Sequence, residues 1–134
     1  MVDMTKPLIM LALGVMALHI ACATSTPTPI PTPTPVPFET TKFNVGAGQA
    51  RTIAWDLQKG SFIEYKFESN LDFAFSVIGP DGNFIIRPTR LIADEGQVRA
   101  DVFGRYTLKF DNGSALFASK TISVEHRAVP PGGR

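Results

Sequence analysis

From residue 38 onward, stretches in which apolar and polar side chains alternate recur along the chain. In residues 61–69, Ile63, Tyr65 and Phe67 fall on one side and Glu64, Lys66 and Glu68 on the other. Leu71, Phe73, Phe75 and Val77 share a face of residues 71–78; Tyr106, Leu108 and Phe110 do so in 105–110, and Ile122 and Val124 in 120–126. Trp55 lies with Ile53 and Leu57 on a further segment, 51–57. Neighbouring side chains of an extended chain point to opposite faces, so this period predicts strands with one dry and one wet side. Turn signals separate them: Gly46 to Gly48, Gln58-Lys59-Gly60, Gly79-Pro80-Asp81-Gly82, Asp94-Glu95-Gly96 and Asp111-Asn112-Gly113. Glycine supplies positive φ, and Asp and Asn bond their own backbone in turns. No amphipathic helix interrupts the pattern. The expected fold class is all-β: an antiparallel β-sandwich or jelly roll of seven or eight short strands over residues 38–128.

The segment before this domain obeys a different pattern. Residues 8–23 form a sixteen-residue apolar run, weakened as a permanent span by Gly14 and His19 and preceded by Lys6, whose positive region Asp3 weakens. As a helix the run would span about 24 Å, short against the about 30 Å hydrocarbon core of a bilayer. Residues 1–23 therefore read as a signal peptide or membrane anchor. Residues 24–37 follow, where Pro alternates with Thr, Ile or Val and six of the chain's eleven prolines lie. Alternate proline enforces polyproline II, so this linker reaches roughly 40 Å. A proline-rich ligand for a groove-type module is the weaker reading, because the flanking charge such modules read is missing. Residues 129–134 are expected to form a flexible tail.

The end of the apolar run is Leu18-His19-Ile20-Ala21-Cys22-Ala23. A lone cysteine after a small residue, before a spacer, resembles a bacterial lipoprotein lipobox, although His19 stands where an aliphatic residue is usual. That resemblance implies lipidation of Cys22. Two other fates compete: cleavage at the small-x-small pattern of Ala21 and Ala23, which would release the protein, and an uncleaved anchor. The expected location is outside the cytoplasm, held at the membrane or secreted.

Charge narrows the partners. Outside Lys6, Arg134 and Asp3, eleven Lys and Arg balance eleven Asp and Glu. A neutral domain lacks the basic field that nucleic acid requires, so nucleic acid is excluded as partner. Cys22 is the only cysteine, which rules out an intrachain disulfide and a cysteine zinc cluster.

A family resemblance rests on Gly104, Tyr106, Phe110, Asp111, Asn112, Phe117, Ser119 and Lys120, followed by the strand ending at Val124. A Gly-x-Tyr strand, a Phe-Asp-Asn turn, an aromatic, Ser-Lys and a last strand resemble the closing half of GOLD (Golgi-dynamics) domains. Upstream, the run from Phe75 to Gly82 fits the same layout. The resemblance implies a β-sandwich that binds partners without catalysis. This chain departs from the cargo receptors of that family in lacking paired cysteines, a coiled coil and a terminal span. Of the shared residues, Tyr106 is expected in the core with its hydroxyl on a backbone group, Asp111 and Asn112 in a turn, and Lys120 beside an acid or over the wet face.

Candidate chemistry is sparse. His126 has Glu125 beside it, but strand neighbours point apart, so a satisfied or solvent-facing histidine is expected. No nucleophile elbow, zinc-protease or phosphate-loop motif occurs. Asp81, Asn83, Asp94, Glu95 and Asp101 could offer oxygens to calcium, but lack the spacing of a dedicated loop and read as turn residues. No catalytic residue, metal site or cofactor is expected. The expected partners are the membrane, through the anchor, and a protein or glycan at the cell surface; the ligand-binding residues stay unidentified. Ala74, Ile78, Phe62 and Phe103 fall off the dry faces. Phe84-Ile85-Ile86 predicts either a strand dry on both sides or an edge that pairs with another chain. Two further readings stand beside a tethered binding module: a secreted carbohydrate- or lipid-binding accessory domain, which exposed Trp55 or Tyr65 would favour, and a small hydrolase.

Overall fold

The computed structural model of the protein describes residues 27–29 and 34–133. The signal or anchor segment 1–23, Cys22 and much of the proline-rich linker lie outside the described residues. The compact unit formed by Thr32–Arg134 is all-β and antiparallel, with no helix among the described residues. Its strands are β1 (Glu39–Val45), β2 (Ala50–Leu57), β3 (Phe62–Ile78), β4 (Phe84–Arg99), β5 (Gly104–Asp111) and β6 (Lys120–Val129). They hydrogen-bond in the order β1-β6-β3-β5-β2, and β4 pairs with the remaining side of β3.

Among the described residues six strands stand where seven or eight short ones were expected, because two run long. β3 has 17 residues and joins segments that the alternation divides near Asn70. Its first part, Phe62 to Ser69, pairs with β6, and its last part, Ala74 to Ile78, pairs with β5. Between them the register with β4 jumps from Glu68 to Phe73. The polar groups freed there find partners: Lys120 Nζ donates to the Asp72 carbonyl, and the Thr121 amide donates to Asn70 Oδ1 at 2.9 Å. The chain therefore bends without turning back. The bend also swings Leu71 outward to 43 % exposure, against the inward place its alternation predicts. Lys120, expected beside an acid or over the wet face, is buried and braces this bend.

β4 is long for a different reason. The Asp94-Glu95-Gly96 turn signal lies inside the strand, where Gly96 pairs with Tyr65. A Cβ at Gly96 would stand 2.7 Å from Tyr65 Oη. Glycine serves here to admit the tyrosine ring, not to reverse the chain. Gly96→Ala is expected to lower stability by about 1–2 kcal/mol by displacing that ring. Adding Tyr65→Phe should recover part of the loss, and thermal melts of the three variants check this non-additivity. The true reversal between β3 and β4 is at Gly79–Asn83, where the Gly79 amide reaches Asn83 O at 2.9 Å and Gly82 has φ 80°.

β1 had no clear signature, since Phe43 and Val45 are its only large apolar residues. It forms because β6 presents a free side, with Glu39 opposite His126 and Val45 opposite Lys120. The core gathers Ile63, Tyr65, Phe67, Phe73, Phe75, Val77, Leu108, Phe110, Ile122 and Val124, all buried. Phe110 sits amid four rings, those of Phe43, Phe67, Phe73 and Phe75, with centroids 5.4 to 5.7 Å away. With no disulfide available, this aromatic cluster supplies the cohesion of the unit. Burial of each such ring contributes about 1.5–3 kcal/mol.

Candidate functional site

The β5–β6 connection, residues 112–119, is built to hold a tip in solvent. Asn112, almost wholly buried, aims its amide nitrogen at three carbonyls: Val45 at 3.1 Å, Gly46 at 3.2 Å and Ala118 at 2.7 Å. Its backbone closes the β1–β2 turn as well, since the Asn112 amide donates to Gln49 O and the Gly48 amide donates to Asn112 O. Asp111 Oδ1 accepts the Gly113 amide, and its carboxylate also meets Lys109 Nζ at 2.9 Å. Those contacts, the lysine first, hold the Asp111 carboxyl below its usual range. Arg90 on β4 reaches over, donating to Ser114 Oγ at 2.8 Å and to Asp72 at 2.7 Å. Both members of that ion pair are half exposed, so it orients the loop more than it stabilises the fold.

Between these braces stand Leu116, 80 % exposed, and Phe117, 94 % exposed. Exposed leucine or phenylalanine alone is ordinary, but two adjacent on a braced loop, with Leu71 beside Asp72 at the same end, form an apolar display. Asn112 was expected only to shape a turn. It instead ties β1, the β1–β2 turn and the loop together. Phe117 carries no sequence signal for exposure, because alternation speaks only inside strands.

The opposite end has a smaller apolar loop, with Val102 and Phe103 exposed between β4 and β5. Tyr106 Oη donates to the Val102 carbonyl at 3.0 Å, which is the core-facing, backbone-bonded tyrosine that the strand pattern anticipates. Phe103 is exposed as expected, whereas Phe62, Ala74 and Ile78 are half-buried. Near this end Arg127 donates to Glu64 and to the Val36 carbonyl, and Phe38 lies over its guanidinium at 4.3 Å. The close of the linker is thus seated on the outer side of β6.

His126 is not solvent-facing. It is buried, with Nε2 3.0 Å from Thr41 Oγ1, its ring edge-on to Trp55 at 5.2 Å, and Nδ1 without a hydrogen-bond partner among the described residues. Burial lowers its pKa, opposed in part by Glu39. The unfolded imidazole titrates near ~6.5 and binds more protons than the folded one just below that pH. Stability is therefore fully present above that pH and is lost as pH falls below it. Melting temperatures taken from pH 8 to pH 5 should decline with acid, and His126→Leu should flatten the part of the slope that this residue contributes.

The carboxylates considered for calcium occupy separate places. Asp81 accepts the Asn83 amide and side chain within its own turn, Asp94 accepts Tyr65 Oη at 3.3 Å, and Glu95 points from β4 to solvent. Among the described residues no three His, Cys, Asp or Glu side chains converge as a metal site. Burial, and then Asp94, push the Tyr65 hydroxyl up to about 12. Tyr65 is buried and Trp55 half-buried, so neither presents the open ring that stacking on a sugar uses. No family model matches the chain, and no curated protein matches it.

Proposed function

We propose that the protein is an exported, membrane-tethered, non-catalytic binding module that presents its β5–β6 loop to a partner at the cell surface. The observation that carries the reading is the pair Leu116 and Phe117, almost fully in solvent on a loop anchored by a buried asparagine. The direction of display supports it. The linker joins β1 at Glu39, beside His126, and β1 ends at Val45, whose carbonyl binds Asn112. Seven extended residues separate the two points by roughly 20 Å. The tip therefore stands at the far end of β1 from the point where the linker joins it.

In this reading the two parts of β3 belong to separate layers, one with β6 and β1 and the other with β5 and β2, giving a β-sandwich of the kind GOLD domains resemble. Cys22 carries a diacylglyceryl anchor, residues 24–37 form the stalk, and the partner is a protein with an apolar recess. The tether is tested by mass spectrometry of the mature protein: acylated Cys22 as first residue supports it, while a start at Thr24 or an intact Met1 rejects it. The binding role is tested by capturing envelope proteins on the full-length chain. A partner retained by the wild type and lost in Leu116→Ser/Phe117→Ser supports the assignment of the loop. A partner held equally by both removes it.

A further inference from the structure

We propose that β4 is a self-association strand, along which two copies of this chain join antiparallel with the two-fold axis beside Ile92. β4 pairs only with β3, so the other side of its 16 residues carries unpaired amides and carbonyls among the described residues. Such an edge is a template for another strand.

The order of side chains selects the occupant. Arg87 and Arg90 precede an apolar centre of Leu91, Ile92 and Ala93, and Asp94 and Glu95 follow it. A parallel copy would set cation on cation and anion on anion. An antiparallel copy sets Arg90 of each strand against the Asp94 and Glu95 pair of the other, and does so twice, while Arg99 closes the strand beyond them. Neutral or singly charged strands gain nothing comparable, so the complementary partner is this same strand.

The facing of the residues narrows the register. Leu91 pairs with buried Phe73 and Asp94 with buried Phe67, which turns both toward the core side. Arg90 and Glu95 are exposed to solvent. Matching solvent-facing positions places Arg90 of one copy opposite Glu95 of the other. Arg90 uses Nε and Nη1 within its own chain, on Asp72 and Ser114, and Nη2 makes no hydrogen bond among the described residues. Glu95 has no ion-pair partner among them.

Ile92 marks the axis. It is 55 % exposed and has no ladder partner on β3, because pairing passes from Ala93 opposite Glu68 straight to Leu91 opposite Phe73. With Arg90 opposite Glu95 the axis passes between Ile92 and Ala93, so each Ile92 lies opposite Ala93 of the other copy and diagonally across from the other Ile92. Pro88 and the flanking charges deter indiscriminate strands, and two-fold closure leaves no β4 edge for a third copy.

Sedimentation of the full-length chain in neutral detergent tests this. The wild type is expected to run as a dimer, twice its 14.5 kDa. Glu95→Arg sets like charges together at two sites and should weaken association roughly tenfold or more. Ile92→Lys, also at an exposed position, should do the same. The exchange Arg90→Glu/Glu95→Arg should recover the dimer. Leu116→Ser/Phe117→Ser should leave it intact, so failure of the loop assignment and failure of this one are distinguishable. A monomeric wild type, unchanged association in Glu95→Arg and Ile92→Lys, or no recovery in the double exchange overturns the proposal.

Discussion

Asn112→Asp is expected to destabilise the protein by about 4 kcal/mol at neutral pH, through the loss of two N–H donors and the gain of a buried charge. The substitution is nearly isosteric, so packing cannot account for the loss. Three carbonyls, those of Val45, Gly46 and Ala118, converge on the nitrogen position. A carboxylate there faces three oxygens with nothing to donate. For a domain of about 100 residues, such a loss lowers the melting temperature by roughly 20 °C. The introduced carboxyl has a folded pKa raised above its unfolded value. The cost of its charge is therefore absent below the unfolded pKa, grows as pH rises from the unfolded pKa to the folded one, and is constant above that. Melts at pH 4 and pH 7 check this: the deficit relative to wild type should shrink at the lower pH, where a protonated carboxyl can donate one hydrogen bond. An equal deficit at both would show that the carbonyl cluster does not govern the site. Asn112→Ala should fall between, at about 3 kcal/mol, because it leaves the carbonyls unpaired but adds no charge.

Much of the core was legible before any coordinates. Period two placed Ile63, Tyr65, Phe67, Phe73, Phe75 and Val77 inside, and they are inside. That signal works because each of these strands has one face against the other apolar faces, and a register slip of one residue would expose the whole set. It failed where the chain is extended without being regular. At residues 69–72 a bend replaces a turn, and the groups that permit it, Lys120 and Asn70, come from distant sequence and from a side chain that resembles a turn residue. Gly96 misled for a similar reason. A glycine that reverses the chain and a glycine that admits a ring read alike in sequence, and only the position of Tyr65 separates them.

The candidate site was harder still to foresee. Asn112 and Phe117 both belong to the β5–β6 connection, but neither residue type announces burial or exposure. The location of the asparagine follows from β1, a strand with little apolar signal, being drawn onto β6. His126 was read from its neighbour Glu125, whereas its surroundings are set by Thr41 and Trp55, far away in sequence. In each case the information lies in pairings between remote strands.

Phe110→Ala and Phe117→Ala should give opposite results from the same chemical change. Phe110 has no exposed surface, and its ring meets those of Phe43, Phe67, Phe73 and Phe75. Truncation removes the anchoring ring of that cluster and leaves a cavity among stiff aromatic neighbours that cannot collapse to fill it. The expected loss is about 4 kcal/mol, a large share of the about 5–15 kcal/mol that holds an ordinary domain folded. Phe117 is 94 % exposed, so its truncation should change stability by less than ~0.5 kcal/mol. Denaturant unfolding of the two variants beside wild type measures both. A loss above ~1 kcal/mol in Phe117→Ala would mean that the ring packs against the fold, and a solvent-held ring is what the display reading requires. If the loss is absent, stability gives no account of so apolar a side chain at a loop tip, as the proposed contact with a partner requires.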